Sequence, residues 1–250
     1  MDVIFMIFYF LYGLAIGSFL NVVIYRLPIH MPIAKGRSMC PKCSTTLTSL
    51  DLVPVFSFLF LKGKCRYCKA SISYIYPIVE LLTAVLFTMS YLIYGPTLYS
   101  VVMCLFICVL IVAAGIDLKH KYIPDRLSVI IICLAIISFL LNPLVSVKSR
   151  LLGAFVISGI MYIISYFTGG GIGGGDIKLF FATGLLLGLK LNILSFLLGY
   201  LIAGLTIIVP YIKKQLPKNH EVPMAPYFAV SLTFAALFGE QFLWWYLGLI

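Results

Sequence analysis

Long, almost uninterrupted apolar runs recur along this chain, and no soluble fold can bury them all. The first covers 3–25, and others cover about 76–94, 97–116, 127–142, 151–168, 177–189, 191–212 and 227–248. A helix crosses a bilayer with roughly 20 apolar residues. Inside lipid each segment must satisfy its own backbone polar groups, so these runs read as helices. Apolar residues make up 62% of the 250 and only 26 are charged. A soluble domain holds about 45–50% apolar and 25% charged residues, so a soluble enzyme, a disordered chain and a secreted disulfide scaffold are excluded. No basic residue precedes the first run and no small-residue cleavage site follows it, so it reads as a span and not a removed signal peptide. The 127–142 and 177–189 runs are short, and Lys190 alone interrupts the stretch from Leu179 to Tyr211. Eight spans are favoured and seven remain open. The fold class is an all-α polytopic membrane protein of about eight transmembrane helices with a small zinc-binding cytoplasmic loop domain. Residues 1–25 form the first helix, 26–74 the loop domain and 75–250 the transmembrane core. No internal repeat is evident, and the one low-complexity stretch is the glycine run at 169–175.

A net charge of +10 could suggest nucleic acid, but the basic residues fall between apolar runs and form no single patch. That distribution orients a membrane protein and points to the lipid bilayer as partner. With the N-terminus outside, 15 of the 18 Lys and Arg lie inside, Lys35, Lys214 and Lys218 among them, leaving Lys148, Arg150 and Lys190 outside. Trp244, Trp245 and Tyr246 then fall at the outer interface, where amphipathic rings are favoured. The basic excess of the 26–74 loop suits contact with anionic headgroups.

Within that loop, Cys40-Pro-Lys-Cys43 is followed after 21 residues by Cys65-Arg-Tyr-Cys68. Two such pairs suit a tetrahedral four-thiolate zinc site. A disulfide pair competes, but a cytoplasmic loop is reducing. Four thiolates leave no open position for water, so the metal's role is structural, supplying folding energy to a segment with little core. Cys104, Cys108 and Cys133 lie inside runs and read as small packing residues.

Eight acidic residues remain to be placed. Asp2 is terminal, Asp51 and Glu221 sit in polar loops, and Glu240 is near the outer interface. Glu80, Asp117, Asp125 and Asp176 lie at or near membrane depth, where ionisable groups are costly and functional by default. Asp125 follows Pro124 and suits a helix N-cap. Asp117 closes its span, at the unfavourable end of the helix dipole. Asp176 follows six glycines in seven residues; no Gly-Lys-Ser/Thr follows, so a phosphate loop fails. Glycine there suits close approach of a peptide to open backbone. The topology puts Asp117 and Asp176 at one membrane edge, where two carboxyls sharing a proton can activate water. The helix ends favour Asp176 as initial base and Asp117 as acid. On the residues alone, an aspartyl protease and a proton- or cation-coupled transporter both stand. A non-catalytic zinc-anchored assembly factor leaves Asp176 without a reason. Gly13 and Gly17 suit close helix packing, with Ser18 and Asn21 as interhelical hydrogen-bonding groups. His30, His120 and His220 read as solvated loop residues.

The sequence resembles the type IV prepilin peptidases through most of its length. The motifs are Gly17-Ser-Phe-Leu-Asn-Val22 with Tyr25-Arg-Leu-Pro28, the paired cysteines, Tyr76-Pro-Ile-Val-Glu-Leu-Leu82, Ile116-Asp117, Ile123-Pro-Asp125, Gly173-Gly-Gly-Asp-Ile-Lys-Leu179 and Pro223-Met-Ala-Pro226. The resemblance implies an aspartyl endopeptidase that cuts a short basic leader after glycine from pilin, pseudopilin or competence-pilin precursors. It places the enzyme in a bacterial plasma membrane, with the active site at the cytoplasmic face. Asp117 and Asp176 match the family's catalytic pair, and Gly173, Gly174, Gly175 and Lys178 its substrate-side loop. Many members also N-methylate the new terminus with S-adenosylmethionine, for which Asn21, Arg26 and Glu80 would line the donor site. Two departures stand out: Ile75 where the family often has Arg, a position that bears on methyl transfer and keeps a peptidase without it as the alternative, and Ala225 where Gly is common.

Overall fold

Each apolar run becomes a helix in the computed structural model, which describes residues 2–34, 36–142, 145–213 and 222–248. Lys35, Lys214, Lys218, His220 and Glu221 lie outside the described residues. The helices are α1 (Asp2–Arg26), the short α2 (Phe56–Phe60), α3 (Ile75–Tyr94), α4 (Leu98–His120), α5 (Asp125–Leu141), α6 (Val147–Phe167), α7 (Gly174–Leu187), α8 (Leu189–Ile212) and α9 (Ala225–Leu247). Among the described residues there is no strand, only the isolated bridges Met39–Thr46 and Lys64–Ser71. Among the described residues five helices, α1, α3, α4, α6 and α8, are long and apolar enough to cross a membrane. The protein is a multi-pass membrane protein. The chain divides into two compact units, Met1–Ser100 and Val101–Ile250.

In the first unit α1 packs along α3 with almost no side chain between them. A methyl at Gly13 would lie 2.5 Å from Ala84 Cα, and one at Gly17 would lie 2.7 Å from Glu80 Cα. The small residues four apart therefore do what the sequence suggests. Asn21 Nδ2 donates to the Tyr76 carbonyl at 3.1 Å, and the Ser18 hydroxyl to Glu80, fixing the register of the pair.

The second unit is built round α7, which touches α5, α6, α8 and α9. Its Leu179, Phe180, Ala182 and Leu186 are fully enclosed. At 14 residues α7 is about 21 Å long, shorter than the roughly 30 Å hydrocarbon core. Its fit against α6 depends on two glycines: a methyl at Gly184 would lie 2.3 Å from the Gly153 backbone. The long apolar stretch that only Lys190 interrupts is cut two residues earlier, at Gly188. That residue has φ +80 and donates to the Gly184 carbonyl, ending α7 so that α8 starts at Leu189. Two buried polar side chains complete the frame. Asn192 donates to the Gly153 and Phe180 carbonyls and accepts from Thr183. Arg150 is buried in the first turn of α6, where its guanidinium donates to the Leu185 and Leu186 carbonyls, both at 3.0 Å, and to Ser138 and Asn142. A cation at helix C-termini satisfies carbonyls that have no partner in their own helices.

Candidate active site

Asp117 stands three residues before the end of α4, and Asp176 is the third residue of α7. The turn between α4 and α5 brings them together. Ile123, in that turn, lies against the first turn of α7: a methyl on Gly175 would sit 3.1 Å from Ile123 Cβ and 3.4 Å from its backbone. A side chain at 175 would press on Ile123, so glycine suits this approach. Asp117 and Asp176 end within electrostatic range of each other. Asp117 is buried, and its Oδ2 accepts the Ala225 backbone N–H at 2.9 Å. Asp176 is half-buried and folds back toward Gly173, where an added methyl would lie 3.2 Å from its Oδ2. Tyr200 of α8 is in electrostatic range of Asp176, its ring 4.9 Å from that of Phe196 and 5.3 Å from that of Phe228.

The glycine-rich segment before Asp176 is a turn, with positive φ at Gly169 and Gly170; the Gly171 N–H donates to the Thr168 hydroxyl and the Ser165 hydroxyl donates to the Ile172 carbonyl. Gly173 precedes the helix, and Gly174 and Gly175 are its first residues. Gly173 and Gly174 are exposed, so backbone beside Asp176 is open to an approaching chain. Lys178 lies one turn on and pairs with both oxygens of Asp125, at 2.7 and 2.8 Å. Asp125 is not the N-cap that the sequence suggests. Pro124 occupies the cap, Asp125 is the first helical residue, and its carboxylate is turned to Lys178. Both partners are exposed, so the pair is worth under about 1 kcal/mol.

In the first unit Asn21, Arg26 and Glu80 are all buried, and all bond to the chain's own backbone. Asn21 holds Tyr76 as described. Arg26 donates to the carbonyls of Pro32, Ile33, Gly36 and Arg37, wrapping the start of the loop round the end of α1. Glu80 Oε2 accepts the Val55 N–H at 2.7 Å. Val55 has φ +62, costly for a β-branched residue, and this bond holds the chain in that turn.

The four cysteine sulfurs lie within 4.8 Å of one another, a cluster that could hold zinc. The two halves of the site repeat at a constant offset of 25 residues. Cys40 N–H donates to Thr45, Ser44 N–H to Cys40 and Leu47 N–H to Ser38; Cys65 N–H donates to Ala70, Lys69 N–H to Cys65 and Ile72 N–H to Gly63. Ser44 and Lys69 share a positive φ, 56 and 59. The sequence shows no evident repeat because, outside the cysteines, its two copies share a backbone path and few side chains. Hydrogen bonds from Thr45 pull the Cys43 thiol down to about 6, toward the thiolate a metal requires. Asp51 ties the halves together, accepting from Thr48 N–H and hydroxyl, from Arg66 Nε at 2.6 Å and from the Tyr67 hydroxyl. Burial raises its carboxyl, but these bonds together hold it below its ordinary value.

Two participants carry no clear sequence signal: Tyr200, one of 16 tyrosines, and Asp51, which looks like any loop acid; Ala225 is marked by the Pro223–Pro226 motif, but its backbone N–H as a donor to Asp117 is not. Of the other cysteines, Cys104 and Cys108 are buried as packing residues, whereas Cys133 faces outward from α5. His30 and His120 are exposed, in keeping with a solvated role.

Residues 11–94 match the Bacterial Peptidase A24 N-terminal domain and residues 104–208 the Type IV leader peptidase family. The gap between the two matches falls where the chain divides into its units. A prepilin leader peptidase/N-methyltransferase of Bacillus subtilis (strain 168) is 37% identical over 95% of this chain and 96% of the relative. Proteins of the same name from Aeromonas salmonicida (strain A449) and Vibrio cholerae serotype O1 are 32% and 36% identical. They align with 96% and 81% of this chain and with 93% and 85% of their own lengths. No solved structure matches the chain.

Proposed function

The chain belongs to the type IV leader peptidase family, and on that premise we propose that it removes the basic leader from type IV prepilin-like precursors as an aspartyl endopeptidase. Its substrates are pilins, pseudopilins or competence pilins, cut after glycine at the cytoplasmic face of a bacterial plasma membrane, with the chain's N-terminus outside. The reading rests on the approach of Asp117 to Asp176 beside open glycine backbone. Both acids stand at helix ends, which favours a peptidase over a relay of acids at mid-bilayer.

Two carboxyls in electrostatic range share one proton. The ionised member takes a proton from water, whose oxygen bonds to the scissile carbonyl carbon. The protonated member gives its proton to the carbonyl oxygen, and the C–N bond breaks as the leaving amine is protonated. Each acid has a helix N-terminus beside it, α7 for Asp176 and α9 for Asp117, so helix ends no longer separate their roles. Among the described residues the backbone N–H bond to this pair falls on Asp117 and supports negative charge there. Asp117 is therefore the base and Asp176 the proton carrier, the reverse of the order the sequence favours. An extended substrate pairs with the backbone at Gly173, Gly174 and Gly175, and Lys178 borders that path.

Zinc, held by Cys40, Cys43, Cys65 and Cys68, supplies folding energy to the loop. N-methylation of the new terminus is the second activity, with S-adenosylmethionine as the methyl donor and Asn21, Arg26 and Glu80 as the residues that would line its site. All three are bonded to the chain's own backbone.

Purified protein mixed with a pilin precursor tests the peptidase, comparing the parent with Asp117→Asn and Asp176→Asn. Cleavage by both variants at the parent rate rejects the mechanism. Mass spectrometry of the mature pilin's first residue decides methyl transfer, which an unmethylated product removes.

A further inference from the structure

The cysteine loop carries an apolar face that its own fold leaves open. Phe56, Leu59 and Phe60 fall three and four residues apart on one side of α2, exposed by 53, 63 and 83%. Phe58, on the other side, turns inward: its ring lies 5.3 Å from Tyr74, and Gly63 leaves room for it. Leu50, 70% exposed, extends the open surface.

The depth of this face is set by one bond. Val55, the residue before α2, donates to Glu80, five residues into α3 and so about 7 Å along a membrane-spanning helix. At that level α3 presents Ile78, Leu81 and Leu82 outward, as residues facing lipid do. The α2 segment therefore lies beside the opening turns of a span and does not stand off in water. Exposed Lys62 and Lys64 follow it directly, with Arg66 and Lys69 beyond.

We propose that α2 is an interfacial anchor, with Phe56, Leu59 and Phe60 set into the headgroup–acyl boundary and Lys62 and Lys64 on anionic phospholipid headgroups. Aromatic residues backed by lysines are the composition such a boundary retains. Charge favours lipid over a second copy of the chain, which would bring the same basic loop against this one. The anchor fixes the zinc module against the membrane surface and does not depend on the peptidase reading.

The test uses the full-length, zinc-loaded protein with both native tryptophans, Trp244 and Trp245, changed to phenylalanine, and with Phe60→Trp as the sole indole. It is reconstituted in phosphatidylethanolamine–phosphatidylglycerol vesicles containing lipids brominated near the carbonyl or near the chain end. The anchor requires blue-shifted emission, quenched strongly by shallow bromines and weakly by deep ones. With Lys62→Gln and Lys64→Gln added, quenching should lose its dependence on phosphatidylglycerol. Red emission that bromine at neither depth quenches would overturn the proposal. So would blue emission that is insensitive to bromine and turns red when protein is diluted in lipid, the signature of a second copy. Zinc content reports loop folding, and Leu59→Trp decides the outcome if Phe60→Trp loses the metal.

Discussion

The amide of Ala225, the first residue of α9, donates to Oδ2 of Asp117 near the end of α4, closing a sequence separation of 108 residues. The bond gives Asp117 a structural duty beside the chemical role proposed for it, and the two can be separated. In Asp117→Asn the amide oxygen can still accept from Ala225, so cleavage should fall by about 10²–10⁴-fold while stability stays near the parent's. In Asp117→Leu a buried N–H loses its partner, at a cost of about 1–3 kcal/mol. Cleavage assays and thermal unfolding in detergent check both. Equal stability of the two variants would show that the bond contributes nothing.

The α6–α7 contact positions Asp176 from a distance. Gly184 meets the Gly153 backbone with no room for a methyl, whereas Gly159, also on α6, has open space. Gly184→Ala should push α7 from α6, cost about 1–3 kcal/mol as an overpacked site and reduce cleavage by displacing Asp176. Gly159→Ala should be neutral or slightly stabilising, since alanine is the better helix former by about 1 kcal/mol. Unfolding curves for the pair, alongside cleavage rates, test whether close approach or glycine content matters.

What could be read beforehand follows from which physics leaves a trace in residue order. Apolar length does, so the eight runs reappear as α1 and α3 to α9. A break inside apolar sequence does not: Gly188 sits among leucines, and its positive φ shows only in three dimensions, so Lys190 attracts the assignment instead. Charge counts see Arg150 as a loop cation, yet it is buried against helix carbonyls, because a side chain's long reach is invisible to its position. Asp117 and Asp176 stand out because carboxylates at that depth need a reason, and the cysteine spacing because four ligands must converge. The Pro223–Pro226 motif marks the segment that reaches Asp117, but not that the Ala225 N–H is the donor, since every residue but proline has one.

The zinc module should come apart symmetrically. Its two halves share one backbone pattern at the 25-residue offset, so Cys43→Ser and Cys68→Ser should lower metal content alike. Asp51 bridges the halves, and Asp51→Ala should hasten metal loss to a chelator several-fold by freeing Thr48, Arg66 and Tyr67 together. Asp51→Asn, which keeps an acceptor but no charge, should fall between. Release timed with a zinc-sensitive dye in chelator checks the order, and parent-like release from Asp51→Ala would sever the link between Asp51 and the site.

Tyr200 stands within electrostatic range of Asp176 and adds a ring to the aromatic cluster, and two substitutions separate the hydroxyl from the ring. Tyr200→Phe keeps the edge contacts with Phe196 and Phe228, so unfolding should not shift. If the hydroxyl orients Asp176 or its water, kcat should drop about tenfold, the equivalent of 1.4 kcal/mol, with KM little changed. Tyr200→Ala also removes the ring and should cost on the order of 3 kcal/mol in stability. Steady-state cleavage of a pilin precursor resolves kcat from KM. Parent-like kcat in Tyr200→Phe would make the hydroxyl a bystander and leave the proton path to the two aspartates alone.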